Sequence, residues 1–204
     1  MIADEEYIET ELTSKLNMSV EYFNGVLYEQ IPLIVQTMYS CIYMKSKVIV
    51  CATGDYIQPS IGFVQDLNQI AVPDTGAVAA VSLNSDIRMI TYFQMQEGLS
   101  TYKFSGQFES VVKEQDLLFV IPSNSSNPEL LSSLENLIKA AKDQNIMIIM
   151  LSCNQNDGQL TKYLSEDNDI YLQIGDGSDY VSSIPILITL QSILSNFKEF
   201  KNNN

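Results

Sequence analysis

The chain has 204 residues, of which 46% are apolar and 18% charged, a balance typical of a single globular domain. Its net charge of −14 and its eleven scattered Lys and Arg residues argue against direct nucleic-acid binding. The sequence contains no run of eighteen apolar residues, so no membrane span is expected. The sequence contains no histidine. This excludes Ser-His-Asp and Cys-His catalysis and removes the commonest general base and metal ligand.

The amino-terminal residues and the cysteines indicate a compartment. Asp4, Glu5, Glu6 and Glu9 stand where a signal peptide needs positive charge, so we expect no export. The three cysteines lie in apolar runs and show no metal-type spacing, which indicates buried, reduced thiols. We therefore predict a cytoplasmic protein.

Two helices are predicted ahead of the first strand. Residues 4–28 carry Ile8, Leu12 and Leu16 at four-residue spacing, and a second helix is expected from Pro32 to about Lys45. Apolar residues cover more than one face of this second helix. We interpret it as packed both on the domain and on another subunit, with Met38 as a residue of that subunit contact.

A strand, a long helix and a second strand follow one another between residues 116 and 153. Leu117–Ile121 is a continuous apolar run, Pro128 suits the first position of a helix that Asn127 can cap, and Ile146–Leu151 is the next buried run. Such a unit must pair its strands in parallel, and a right-handed crossover is expected.

The same alternation extends over the rest of the chain. The predicted strands are Lys47–Ala52, Ala77–Leu83 and Asp169–Ile174, and the predicted helices are Pro59–Leu67, a helix after Asp86, Phe104–Val112, Gln159–Leu164 and Tyr180–Phe200, the last starting nearer Ser183. The expected fold is α/β, a doubly wound five-stranded parallel sheet preceded by two helices. One domain is predicted over residues 1–204, with oligomerisation helices at 1–46 and the α/β core at 47–200. No dinucleotide-binding or P-loop glycine motif is present.

Ligands of such sheets bind at the carboxyl ends of the strands. The loop there after Leu117–Ile121 offers the hydroxyls of Ser123, Ser125 and Ser126 and the amides of Asn124 and Asn127. An anion could be held by these groups and by backbone N–H groups of the helix. The alternative is that the same residues only cap the helix and shape the turn, and the sequence leaves both open.

Several fragments, taken in order, resemble the sugar isomerase (SIS) domain family, specifically the phosphoheptose isomerases and the replication-initiator-associating proteins. Residues 47–56 resemble K-V-L-x-C-G-N-G-G-S, residues 83–86 L-T-T-D, residues 104–109 F-x-x-Q-x-E and residues 121–127 I-S-T-S-G-N-S. The resemblance covers essentially the whole chain. It implies ligand-binding residues at Thr53, Gly54, Ser85, Ser123, Asn124, Ser125, Ser126 and Asn127.

The departures from the family fall on its catalytic residues. Residues 62–67 match H-F-A-x-E-L with aspartate, Asp66, in place of the glutamate, and Leu190 occupies the position of the catalytic histidine. Ser182 replaces a glutamine, and only Asp66 is left of the zinc ligands, so no metal and no other cofactor are expected. Asp55 and Tyr56 replace a glycine and a serine, which opposes a phosphorylated ligand by charge and bulk.

The sequence thus predicts a catalytically silent SIS-domain binding protein, either a replication-initiator-associating module or a phosphosugar binder. The alternative is a phosphoheptose isomerase, acting on sedoheptulose 7-phosphate, with a divergent site. The expected partners are further copies of the chain in a dimer or tetramer, a replication initiator and a sugar phosphate, with neither nucleic acid nor membrane.

Overall fold

The structure is a computed structural model that describes residues 26–72, 76–85, 100–123, 127–153, 158–174 and 183–203. Within these residues, five strands form one sheet in which every neighbouring pair is parallel, in the order β4-β1-β5-β6-β7. The strands are β1 (Val48–Ala52), β4 (Ala80–Ser82), β5 (Leu117–Ile121), β6 (Met147–Ser152) and β7 (Ile170–Gln173). β2 (Ala71–Val72) and β3 (Gly76–Ala77) form a separate antiparallel pair.

Helices cover both faces of the sheet. They are α1 (Val26–Tyr43), α2 (Ile57–Asn68), α3 (Lys103–Val111), α4 (Pro128–Asp143), α5 (Gly158–Thr161) and α6 (Ser183–Asn203). Alternate strand residues point to opposite faces, so the sheet supplies two cores. One core joins the sheet to α1, α2 and α6, and the other joins it to α3, α4 and α5. The predicted doubly wound five-stranded parallel sheet is therefore confirmed.

Some predicted bounds were wrong, and one of these is the helix Gln159–Leu164, since α5 ends at Thr161. The helix expected to begin at Pro32 begins at Val26 and carries Pro32 inside it. Its burial against α6 outweighs the hydrogen bond that proline cannot donate. The strand predicted over Ala77–Leu83 is divided, because Gly76–Ala77 pairs with Ala71–Val72 and only Ala80–Ser82 joins the main sheet. Residues 4–25 and the helix predicted after Asp86 lie outside the described residues.

Two buried aspartates fasten neighbouring strands at the amino edge of the sheet. Asp116 accepts hydrogen bonds from the backbone N–H of Lys47 at 2.9 Å and of Lys113 at 2.7 Å, and it forms an ion pair with the Lys47 ammonium. Asp169 accepts from the Ile148 N–H at 2.8 Å and from the Lys142 ammonium at 2.6 Å. Each aspartate ties the start of its own strand to the strand beside it.

Helix α1 is buried mainly by its own chain. Met38 is fully buried in the core with Ile34 and Val35, so its interpretation as a subunit-contact residue was wrong. Among the side chains of α1 whose exposure is described, the large exposed apolar ones are Leu33 and Tyr43, and the exposed Met44 follows the helix. No helix in the described part of the chain combines the length and the apolar character that crossing a bilayer requires.

Candidate functional site

The carboxyl edge of the sheet contains a topological switch point. From β1 the chain proceeds to β4 on one side and later to β5 on the other, so the connections after β1 and β5 diverge. Such a divergence opens a crevice between two adjacent strand ends, where ligands of doubly wound sheets bind. The crevice here lies between the residue after β1, Thr53, and the loop that follows Ile121.

Thr53 and Ser123 join the two loops at this crevice. The Thr53 hydroxyl is buried, accepts a hydrogen bond from the Ser123 backbone N–H at 2.7 Å and donates to the Ser123 hydroxyl at 3.1 Å. The Thr53 N–H donates to the Ile121 carbonyl at 3.1 Å. Because the Ser123 hydroxyl accepts from Thr53, its own proton can be donated to a ligand.

Gly54 allows the two loops to approach this closely. Its φ is +57°, in the left-handed region that favours glycine. A Cβ atom at Gly54 would lie 2.7 Å from the Ser123 Cβ and 2.9 Å from its hydroxyl oxygen. The structure therefore brings together three of the predicted ligand-binding residues.

Asn84 supports the site from the other side, and the sequence analysis did not single it out. Its buried side chain accepts from the Ala52 N–H and donates to the Ala52 carbonyl, both at 2.8 Å. This bidentate bond fixes the last residue of β1 against the loop after β4. The signal in the sequence was a polar residue directly after an apolar strand. Ser85, the next residue, is exposed at the same edge.

The start of α4 borders the crevice on the β5 side. The Asn127 side chain caps this helix by accepting from the N–H groups of Glu129 at 3.0 Å and Leu130 at 3.4 Å. The predicted capping role is confirmed, and it occupies two N–H groups that an anion could otherwise use. Asn124, Ser125 and Ser126 lie outside the described residues, so their predicted contacts with a ligand stay predictions.

The two residues that match the catalytic positions of the family differ in their surroundings. Asp66 is half-buried on α2, while Leu190 on α6 is 1% exposed and packed in the core. An aliphatic side chain transfers no proton, so Asp66 is the one titratable group of this pair. Tyr56, predicted to obstruct a ligand, is 2% exposed and belongs to the same core cluster as Leu190.

Comparisons with known proteins agree with this architecture. No family model matches the chain. Over 137 residues, 67% of this chain, it is 24% identical to phosphoheptose isomerase 1 of Campylobacter jejuni, of which 70% is covered. The solved phosphoheptose isomerase of Francisella tularensis covers 97% of this chain and is itself covered completely, with a TM-score of 0.78 and 22% identity.

A second solved phosphoheptose isomerase, from Neisseria gonorrhoeae, superimposes with a TM-score of 0.81 at 17% identity, over 96% of this chain and 98% of its own. The chain therefore has the sugar isomerase (SIS) fold. Within that fold it is similar to phosphoheptose isomerases, and the resemblance seen in the sequence fragments is confirmed.

Proposed function

We propose that this chain binds a sugar phosphate in the crevice between β1 and β5. The observation that carries the proposal is the Thr53–Ser123 hydroxyl pair held against Gly54 at the switch point. It places the Ser123 hydroxyl donor at a strand edge beside the start of a 16-residue helix, whose dipole favours an anion. The similarity to phosphoheptose isomerases, whose name denotes a phosphorylated sugar, supports the choice of ligand.

Isomerisation of a phosphosugar is the second candidate. The comparisons favour it over the replication-initiator-associating role, because the Campylobacter relative and the Francisella and Neisseria structures are named as isomerases. The reaction needs one group that takes a proton from carbon and another that serves the oxygens. Asp66 is the carboxylate at the matching position. Leu190 supplies no second group, and our inference of catalytic silence depends on this residue and on the absence of histidine.

Calorimetric titration with sedoheptulose 7-phosphate tests binding. We expect the wild-type chain to bind sedoheptulose 7-phosphate and not the unphosphorylated sugar. The Ser123→Ala variant should bind it about tenfold more weakly, since one donor to a charged group is removed. Ser40→Ala is the matched control, because Ser40 is exposed on α1 and bonds only within that helix. Unchanged affinity in Ser123→Ala would place the ligand elsewhere.

A turnover assay on the same samples separates the two candidates. Catalytic silence predicts no interconversion of sedoheptulose 7-phosphate by the wild-type chain. Turnover that disappears in Asp66→Asn would establish the isomerase candidate instead, with Asp66 as its acid–base group. The initiator-associating role stays a prediction from the sequence, and a pull-down from native cells tests it.

A further inference from the structure

Lys103, the first residue of α3, is a buried cation. It is 7% exposed, and its ammonium lies 5.1 Å from the centre of the Phe104 ring. Two half-buried lysines, Lys47 and Lys142, form ion pairs with Asp116 and Asp169. Among the described residues, no carboxylate forms an ion pair with Lys103. Burying a charge without a counterion is unfavourable, so this position requires an explanation.

Lys103 lies toward the same edge of the sheet as the proposed site. Because α3 ends at Val111 and leads into the amino edge of β5, its first turn points toward the carboxyl edge of the sheet. Burial raises the pKa of the Cys51 thiol, and the charge of Lys103 opposes this rise. Lys103 is therefore within electrostatic range of Cys51, which lies two residues before Thr53.

Gln107 lies one helical turn after Lys103, on the same face of α3. It is 6% exposed, and its side-chain nitrogen Nε2 is buried without a hydrogen-bond partner among the described residues. Unsatisfied buried donors are rare, because each loses its hydrogen bonds to water. The buried Gln107 amide, with no acceptor among the described residues, and the Lys103 ammonium, with no carboxylate partner among them, lie on one face of α3, where they suit oxygen atoms of an anion.

We propose that the Lys103 ammonium and the Gln107 amide bind anionic oxygens of the ligand in the crevice between β1 and β5. The inference rests on the proposed function and assigns its charge selectivity to two residues outside the loops after β1 and β5. The ligand supplies the counterion that the described part of the chain lacks. In a chain of net charge −14, a buried local cation also offsets the general repulsion of anions.

The test compares Lys103→Met with Lys198→Met. Both remove one positive charge, but Lys198 is exposed on α6. Titration with sedoheptulose 7-phosphate and with inorganic phosphate is expected to show at least about tenfold weaker binding to Lys103→Met and less than about twofold change for Lys198→Met. Gln107→Leu is expected to weaken binding in the same direction. Without ligand, Lys103→Met should melt at the wild-type temperature or above it, because a buried charge with no counterion among the described residues has been removed.

Three outcomes would overturn the inference. Unchanged phosphate affinity in Lys103→Met, with affinity lost in Ser123→Ala, would refute the role of Lys103 and leave the proposed function intact. A large fall in the melting temperature of ligand-free Lys103→Met would show that the ammonium stabilises the chain itself. Absence of binding by the wild-type chain at millimolar concentration would refute the proposed function and this inference together.

Discussion

At the scale of single residues, Gly54 controls the distance between the loops after β1 and β5. Its left-handed backbone and the 2.7 Å approach that a Cβ would make to Ser123 leave no room for a side chain. We expect Gly54→Ala to displace Ser123 and to weaken sugar-phosphate binding at least about tenfold, comparable to the loss of a charge-assisted hydrogen bond. Gly62→Ala is the control, since its added Cβ meets no atom within 4 Å. Equal affinities in the two variants would contradict this geometry.

The cysteines give a prediction that depends on pH. Burial raises the pKa of Cys41 from 9.0 to about 12, and it also raises the pKa of Cys51. At pH 8 the thiolate fraction of Cys41 is then roughly a thousandfold below that of a free cysteine. We expect a thiol reagent to label both residues slowly in the native protein and rapidly in denaturant.

The raised pKa of Cys41 also makes the free energy of unfolding depend on pH. The unfolded chain loses its thiol protons near pH 9, while the folded chain keeps that of Cys41 until about pH 12. The free energy of unfolding should therefore be unaffected by this group below pH 9 and should fall as the pH rises between 9 and 12. Native labelling of Cys41 or Cys51 at the denatured rate would contradict the burial.

At the scale of elements, Asp116 joins β1 to β5. Asp116→Asn leaves the Lys47 ammonium without its counterion and weakens the bonds to two backbone N–H groups. We expect the free energy of unfolding to fall by about 3–5 kcal/mol in urea denaturation. Asp143→Asn, at an exposed position, should change it by less than about 0.5 kcal/mol. Similar values for both variants would show that the amino-edge bond contributes nothing.

The elements that the sequence predicted well are those with a local signal. The strand Leu117–Ile121 is a buried apolar run with the predicted bounds, and α4 begins at Pro128 behind the Asn127 cap as expected. The prediction of where α1 starts failed because Pro32 is locally a signal for a helix boundary, and burial against α6 overrides that signal. The prediction of one strand over 77–83 failed because Gly76–Ala77 pairs with Ala71–Val72, and this tertiary pairing has no local signal in the sequence.

The site was predicted less completely than the fold, for a related reason. Ser123 follows a strand and was predicted from that position, whereas Thr53 was predicted from the resemblance to the SIS family. Their mutual hydrogen bonds, the bidentate role of Asn84 and the burial of Tyr56 depend on which strands become neighbours. The periodicity of the sequence does not predict those strand pairings. Tyr56 was therefore interpreted as an obstruction to a phosphorylated ligand, although its ring belongs to the core.

At the scale of the whole molecule, we propose that copies of the chain associate through α1, as the sequence analysis predicted. Its exposed Leu33, together with Met44 directly after the helix, lines a groove of 510 Å³ at the amino edge of the sheet. Light scattering is expected to show an oligomer for the wild-type chain and a folded monomer for Leu33→Glu, because the new charge would be buried in the contact. Met38→Glu should unfold the chain instead, since Met38 lies in the core. A wild-type monomer at micromolar concentration would contradict this proposal.

The two edges of the sheet have different roles in this account. Asp116 and Asp169 hold the amino edge together, while Thr53, Gly54 and Ser123 line the crevice at the carboxyl edge. The central claim is that this crevice takes the phosphorylated ligand. The most direct test is a crystal structure of the protein with sedoheptulose 7-phosphate. The account predicts the phosphate within hydrogen-bonding distance of the Ser123 hydroxyl, and a ligand in the groove beside Leu33 and Met44 would contradict it.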